Sequence, residues 1–137
     1  MTTQNREDYL RALYILHEEK GQLRSSDVAS YLGVSKPSVS EMVRRLNQEG
    51  LIRSAPYTKL QFTPKGKRMA EQLTSKHRII ERFLKDTLKI EGRKIHEEAH
   101  RLEHAFSNES IEKMRRMLHN PTVDPHGKPI PQVKAHG

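Results

Sequence analysis

Apolar positions recur at helical spacing through most of the chain. Leu10, Leu13, Tyr14 and His17 stand at i, i+3, i+4 and i+7, which predicts a helix over residues 5–20, ended by Gly21. Ser25 or Ser26 is placed to cap a short second helix, with Asp27 in its first turn and Val28 and Leu32 on one face. Gly33 stops it. Ser35 then serves as an N-cap and Pro37 fits the first turn of a third helix. Val39, Met42, Val43 and Leu46 give that helix an apolar face, and Lys36, Ser38, Ser40, Glu41, Arg44 and Arg45 occupy the opposite one. After Gly50 the period changes to two. Leu51–Ser54 and Lys59–Thr63 read as short strands, with Ala55-Pro56-Tyr57-Thr58 between them.

Thr63-Pro64 caps a helix of about 25 residues. Its apolar stripe is Met69, Leu73, Ile80, Phe83, Leu84 and Leu88. Gly92 marks a break. A further helix is predicted over Arg93–Phe106, with Ile95, Ala99, Leu102 and Phe106 on one face. Ser107 caps a last helix that runs through Met114 and Leu118. From Pro121 the chain is rich in Pro, Gly and His and has no period, which predicts an extended or loosely attached tail.

The fold class is therefore mainly α. Two helices joined by a short Gly-containing turn and followed by a hairpin make a winged helix-turn-helix over residues 1–63, with an all-helical domain over 64–120 and the tail over 121–137. In that motif the second helix enters the major groove. Ser35, Lys36, Pro37, Ser38 and Glu41 would lie nearest the base edges, on the face that Ser40 shares, while Arg44 and Arg45 reach phosphates. Lys59 on the wing is a further candidate contact. So is Lys65, which lies with Lys67 and Arg68 in the first turns of the long helix. Cations there oppose the helix macrodipole, and a phosphate placed at that end would reverse the penalty.

Composition supports a polyanionic partner. Lys and Arg number 25 against 17 Asp and Glu, a net charge of +8. The mean hydropathy of −0.85 leaves no room for a membrane span, and no membrane partner is expected. Absence of Cys excludes disulfides, thiolate nucleophiles and Cys-based zinc fingers. Met1–Arg6 has no apolar stretch of the secretory kind, so a cytoplasmic location is expected.

Eight histidines in such a chain invite a check of their spacing. His96, His100, Glu103 and His104 fall within an arc of roughly 100° on one helix face. His77 and Glu81 are one turn apart on the preceding helix, beside its apolar stripe. Imidazole and carboxylate placed against a core need partners. A divalent cation between the two helices would satisfy all six. Oxygen and nitrogen donors without thiolate suit Mn(II) or Fe(II), and Co(II) or Zn(II) also fit. His17, His119, His126 and His136 are read as surface residues or left without a role.

In this order the features resemble the diphtheria-toxin-repressor family, which includes the iron-dependent repressors and the two-domain manganese transport regulators. The resemblance rests on Glu7-Asp8-Tyr9-Leu10, the Ser35–Leu46 helix, the wing running into Thr63-Pro64-Lys65-Gly66, and Lys76-His77-Arg78 with Glu81. It rests also on His96-x-x-x-His100-x-x-Glu103-His104 and on Asp124-Pro125-His126-Gly127-Lys128-Pro129-Ile130-Pro131. It implies that residues 64–120 bind metal and form a homodimer, and that an SH3-like third domain is missing. It implies a primary site of Asp8, His100, Glu103 and His104, and a second site of His77, Glu81 and His96. Iron regulators usually have Met where Asp8 stands and Cys where His100 stands, which favours Mn(II) here. The manganese branch usually carries a carboxylate where this chain has Arg11, and commonly another at His100.

The function that follows is a metal-dependent transcriptional repressor. Mn(II), or Fe(II), would act as corepressor, and a homodimer would bind a double-stranded palindromic operator that controls metal-uptake genes. No small-molecule substrate is expected. One alternative is a winged-helix regulator with a non-metal effector. Another is a metal-dependent hydrolase, which would need an open metal position, a general base and a cleft. Glu97 and Glu98 are spare carboxylates, but no nucleophile or cofactor motif accompanies them, so the chain is not expected to be an enzyme.

Overall fold

The described residues form α1 (Thr3–Lys20), β1 (Leu23–Arg24), α2 (Ser25–Leu32), α3 (Lys36–Gln48), β2 (Ile52–Ala55), β3 (Lys59–Phe62), α4 (Pro64–Asp86), α5 (Arg93–Glu103) and α6 (Asn108–Met117). They come from a computed structural model that describes residues 3–55 and 59–133. Pro56-Tyr57-Thr58, expected to join the wing strands, and the tail from Lys134, with His136, lie outside the described residues. The chain divides into two units, Met1–Glu71 and Gln72–Gly137.

In the first unit the predicted apolar faces are buried. Leu10, Leu13, Val28, Val39, Met42 and Leu46 are almost wholly removed from solvent, while Val43 is half-buried. His17 is exposed on the rim of this core, edge-on to Phe62. Ser35 caps α3 as expected, accepting from the Ser38 amide at 3.2 Å. The cap of α2 differs from expectation. Its N-cap position is Arg24, with no side-chain bond. Leu23 and Arg24 are drawn into a strand, so the backbone passes directly from strand to helix and Ser25 becomes the first helical residue. That strand pairs antiparallel with β3, which pairs in turn with β2, giving the order β1-β3-β2. Two residues are too few to show alternation, which is why periodicity missed the third strand. Gly33 takes φ 66°, and the Val34 amide closes the turn on Ala29 O at 3.1 Å.

Thr63 joins the wing to α4. Its hydroxyl donates to Gly50 O at 2.6 Å and accepts from the Gly66 amide at 3.0 Å. Gly66 lies so close to β2's approach that a Cβ there would fall 1.9 Å from Leu51 O.

The second unit has its own core. Ile79, Ile80 and Leu84 of α4 pack with Ala99 of α5, Ile111 and Met114 of α6, and Ile130 of the tail. Leu88 leaves the predicted stripe and is 53% exposed, because α4 stops at Asp86 and the chain turns through Lys89 at φ 59°. The tail is not loosely attached over its described length. The Asp124 carboxylate accepts from the amides of His126 and Lys128, both at 2.8 Å. Ile130 is buried, and Arg78 of α4 donates to Pro129 O at 2.6 Å. Arg115 of α6, also buried, donates to Ser75 of α4 at 3.0 Å.

Gly66→Ala is expected to destabilise the protein by about 2 kcal/mol or more, since the clash is with backbone rather than a movable side-chain end. Urea unfolding measures it, and a loss below about 0.5 kcal/mol, the range of ordinary surface changes, would contradict the close packing.

Candidate metal centre and nucleic-acid interface

The apolar stripe of α4 carries two polar residues into the interior. His77 and Glu81, one turn apart, are 4% and 3% exposed. The spacing that buries Ile80 and Leu84 buries these side chains too. A carboxylate there costs several kcal/mol unless it is compensated. The compensation comes from α5 and from the residue that follows it.

His77, Glu81 and His96 form one group. His77 Nε2 lies 3.5 Å from Glu81 Oε1 and 3.2 Å from His96 Nδ1. His96 Nδ1 lies 3.8 Å from Glu81 Oε2. Two donors bound to one divalent ion at about 2.1 Å stand roughly 3 to 4 Å apart, so these separations fit a shared ion. The His96 side chain is 58% exposed and forms the solvent edge.

His100, Glu103 and His104 form the second group, with ligand atoms within 4.8 Å of one another. Glu103 is 6% exposed, and its Oε1 lies 3.4 Å from His104 Nε2. The rings of His100 and His104 meet edge to face at 5.4 Å. The expected helix to Phe106 is shorter than predicted. It ends at Glu103, and His104 is its C-cap. Phe106 is drawn toward the core, and its carbonyl accepts from Lys76 Nζ at 2.6 Å. His104 still reaches the group, because its backbone remains near the right-handed helical region, at φ −86°.

The two groups touch through one contact that spacing alone did not give. His77 Nδ1 lies 2.9 Å from Glu103 Oε2. One histidine therefore faces Glu81 and His96 through one nitrogen and Glu103 through the other. Residue spacing placed His77 on the buried stripe of α4 but held no information about its partner on α5. Both donor sets are oxygen and nitrogen with a buried carboxylate, which suits a divalent cation of the Mn(II), Fe(II) or Zn(II) kind. Asp8 stands on α1 in the first unit, half-buried.

The predicted nucleic-acid residues all reach solvent. Ser35, Lys36, Pro37, Ser38, Ser40, Glu41, Arg44 and Arg45 are exposed on α3 and its cap, as are Lys59 on β3 and Lys65 on α4. A groove of about 400 Å³ runs between α3 and the wing, lined by Ser40, Arg44, Asn47, Ser54 and Lys59 among others. Lys65 lies 3.5 Å from Glu49 O, at the start of α4.

Comparison with known proteins agrees with both halves. Residues 1–60 match the family model for the N-terminal DNA binding domain of iron dependent repressors. Residues 63–132 match the model for their metal binding and dimerisation domain. The iron-dependent repressor IdeR of Mycobacterium leprae is 39% identical over 125 residues, 91% of this chain and 54% of that protein. The regulator MntR of Bacillus pumilus is 37% identical over 114 residues, 83% of this chain and 78% of that protein. The solved structure of the manganese regulator SloR aligns with TM-score 0.81 at 40% identity, covering 93% of this chain and 59% of that one. The chain thus spans about half the length of the first of these relatives.

Mn(II) or Zn(II) added to chelator-stripped protein is expected to stabilise it by about 2.7 kcal/mol at a hundredfold excess over Kd, and so to raise its unfolding temperature. The gain should shrink as pH falls, because protons compete with the ion for imidazole nitrogen. Scanning calorimetry tests this, and a midpoint insensitive to both metals would argue against either group as a metal site.

Proposed function

The chain belongs to the iron-dependent repressor family, and on that premise we propose that it is a Mn(II)-responsive transcriptional repressor, with Fe(II) as the next candidate corepressor. The observation that carries this is the pair of buried carboxylates, Glu81 and Glu103, each grouped with imidazoles at ligand separations in a chain that also presents an exposed polar helix and wing. Sulfur is absent from both donor sets. That favours a harder ion than the iron repressors' Met- and Cys-containing pattern would.

In this reading His100, Glu103 and His104 hold the primary ion, and the family resemblance of Glu7-Asp8-Tyr9-Leu10 supplies Asp8 as its fourth donor. His77, Glu81 and His96 hold the second. A bound ion supplies positive charge that favours the DNA-competent arrangement over others. The rest is done by the protein. Lys36, Ser38, Ser40 and Glu41 offer donors and acceptors to base edges, with Ser35 and Pro37 setting where the helix begins. Arg44, Arg45, Lys59 and Lys65 contact phosphates. A two-fold homodimer presents two copies of α3 about one helical turn of DNA apart, which matches a palindromic operator. No helix among the described residues is long and apolar enough to cross a membrane. Work on an operator that controls metal uptake places the protein in the cytoplasm.

Selection from random duplexes in Mn(II) is expected to enrich one palindrome, and chelator should abolish its binding. Equal binding with and without chelator would sink the proposal. Asp8→Ala should lose the metal response while remaining a dimer by sedimentation. Arg44→Ala should weaken binding to all sequences alike and lower the salt slope by about one.

A further inference from the structure

The face of α3 turned away from the core carries one charge of the wrong sign for DNA. Val39, Met42 and Leu46 anchor the helix, each 1% exposed or less. On the far side Pro37, Glu41 and Arg44 follow one another at i, i+4 and i+7 and form one ridge. Among the described residues of α3, Glu41 alone is acidic, and it is exposed in the middle of that ridge. Arg44 and Arg45 stand three and four residues further on, the spacing at which a helix forms ion pairs. Among the described residues, the Glu41 carboxylate has neither an ion-pair nor a hydrogen-bond partner. The turn that presents it is fixed by Ser35, which accepts from the Ser38 amide at 3.2 Å and donates to the Ser38 hydroxyl oxygen at 2.9 Å.

A bare carboxylate brought among phosphates weakens DNA binding by like-charge repulsion. The cost is offset only where a donor meets it. Base edges in the major groove differ in what they offer. Guanine presents N7 and O6, and thymine presents O4, all of them acceptors that repel a carboxylate. Adenine presents its N6 donor beside the N7 acceptor. Cytosine presents the N4 amine alone. A carboxylate accepts hydrogen bonds and donates none, so cytosine suits it best. Resting on the DNA-binding reading above, we propose that Glu41 sets sequence specificity by accepting a hydrogen bond from the N4 amine of one cytosine in each half-site. A wrong base leaves the carboxylate facing acceptor atoms, so the residue rejects sequences as well as selecting one.

The test is selection from random duplexes in Mn(II) with the wild type, Glu41→Gln and Glu41→Ala. Affinities are then measured for duplexes that differ only at the position Glu41 reads. Both variants change an exposed side chain off the apolar face, and circular dichroism checks that the helices are kept. The wild type should enrich cytosine at one symmetry-related pair of positions, and lose roughly 10-fold in affinity when guanine or thymine replaces it. Glu41→Gln, whose amide both donates and accepts, should move the preference at that pair to adenine. Glu41→Ala should lose the preference there and keep it elsewhere. An unchanged base profile in both variants overturns the proposal. So does a uniform gain in affinity for all sequences, which would make the carboxylate a repulsive charge only. A palindrome enriched by the wild type but indifferent to Glu41 removes this inference and leaves the repressor reading standing. No enriched duplex with the wild type would remove both.

Discussion

Two carboxylates in an apolar interior are the constraint around which the second unit is arranged. Glu81 and Glu103 are 3% and 6% exposed, in a unit whose core is Ile79, Ile80, Leu84 and Ala99. An ionised carboxylate in such a place must find donors or cations, because its lost hydration costs several kcal/mol. Nearby imidazoles answer that demand. His77 stands one turn before Glu81, His96 approaches from α5, and His104 closes on Glu103 from just past the helix end. The fold brings α5 against α4 with His77 buried between them and His96 at the solvent edge, and packing of apolar side chains alone would not require that arrangement.

Much of this was legible in the chain. Helical periodicity located the long helices, and cap chemistry fixed where α3 and α6 begin, with Ser35 and Ser107 each accepting from the amide three residues on. Spacing also found six ligand-type residues. It could not find what depends on a second element. The strand Leu23–Arg24 exists because β3 pairs with it, and a two-residue pattern has no period of its own. The end of α5 at Glu103 is set by where Phe106 must pack, which is a tertiary demand. The partnership of His77 with Glu103 spans 26 residues and follows from the approach of two helices. Asp8 shows the same boundary from another side. Its residue type near the start of the helix predicted over residues 5–20 is unremarkable, and only the family resemblance singled it out.

The first unit separates its duties by face. Val39, Met42 and Leu46 are buried, while the opposite side of α3 keeps Lys36, Ser38, Ser40, Arg44 and Arg45 in water. Because the apolar face alone anchors the helix, side chains on the other face can vary without disturbing the fold. Variation on that exposed face is thereby separated from stability. The junction at Thr63 and Gly66 is the opposite case, where one hydroxyl serves two backbone groups and no larger residue fits beside it.

The segment after α6 has a consequence for how the chain can be cut and joined. Asp124 organises a turn, Ile130 fills the core, and Pro129 O receives the guanidinium of Arg78, the residue next to His77. A truncation at Asn120 would open a hole in the core and remove the carbonyl that receives the buried Arg78 guanidinium, next to His77. Tags, fusions and expression boundaries therefore belong beyond Ile130, and a fragment defined by its regular helices alone would be an incomplete folding unit.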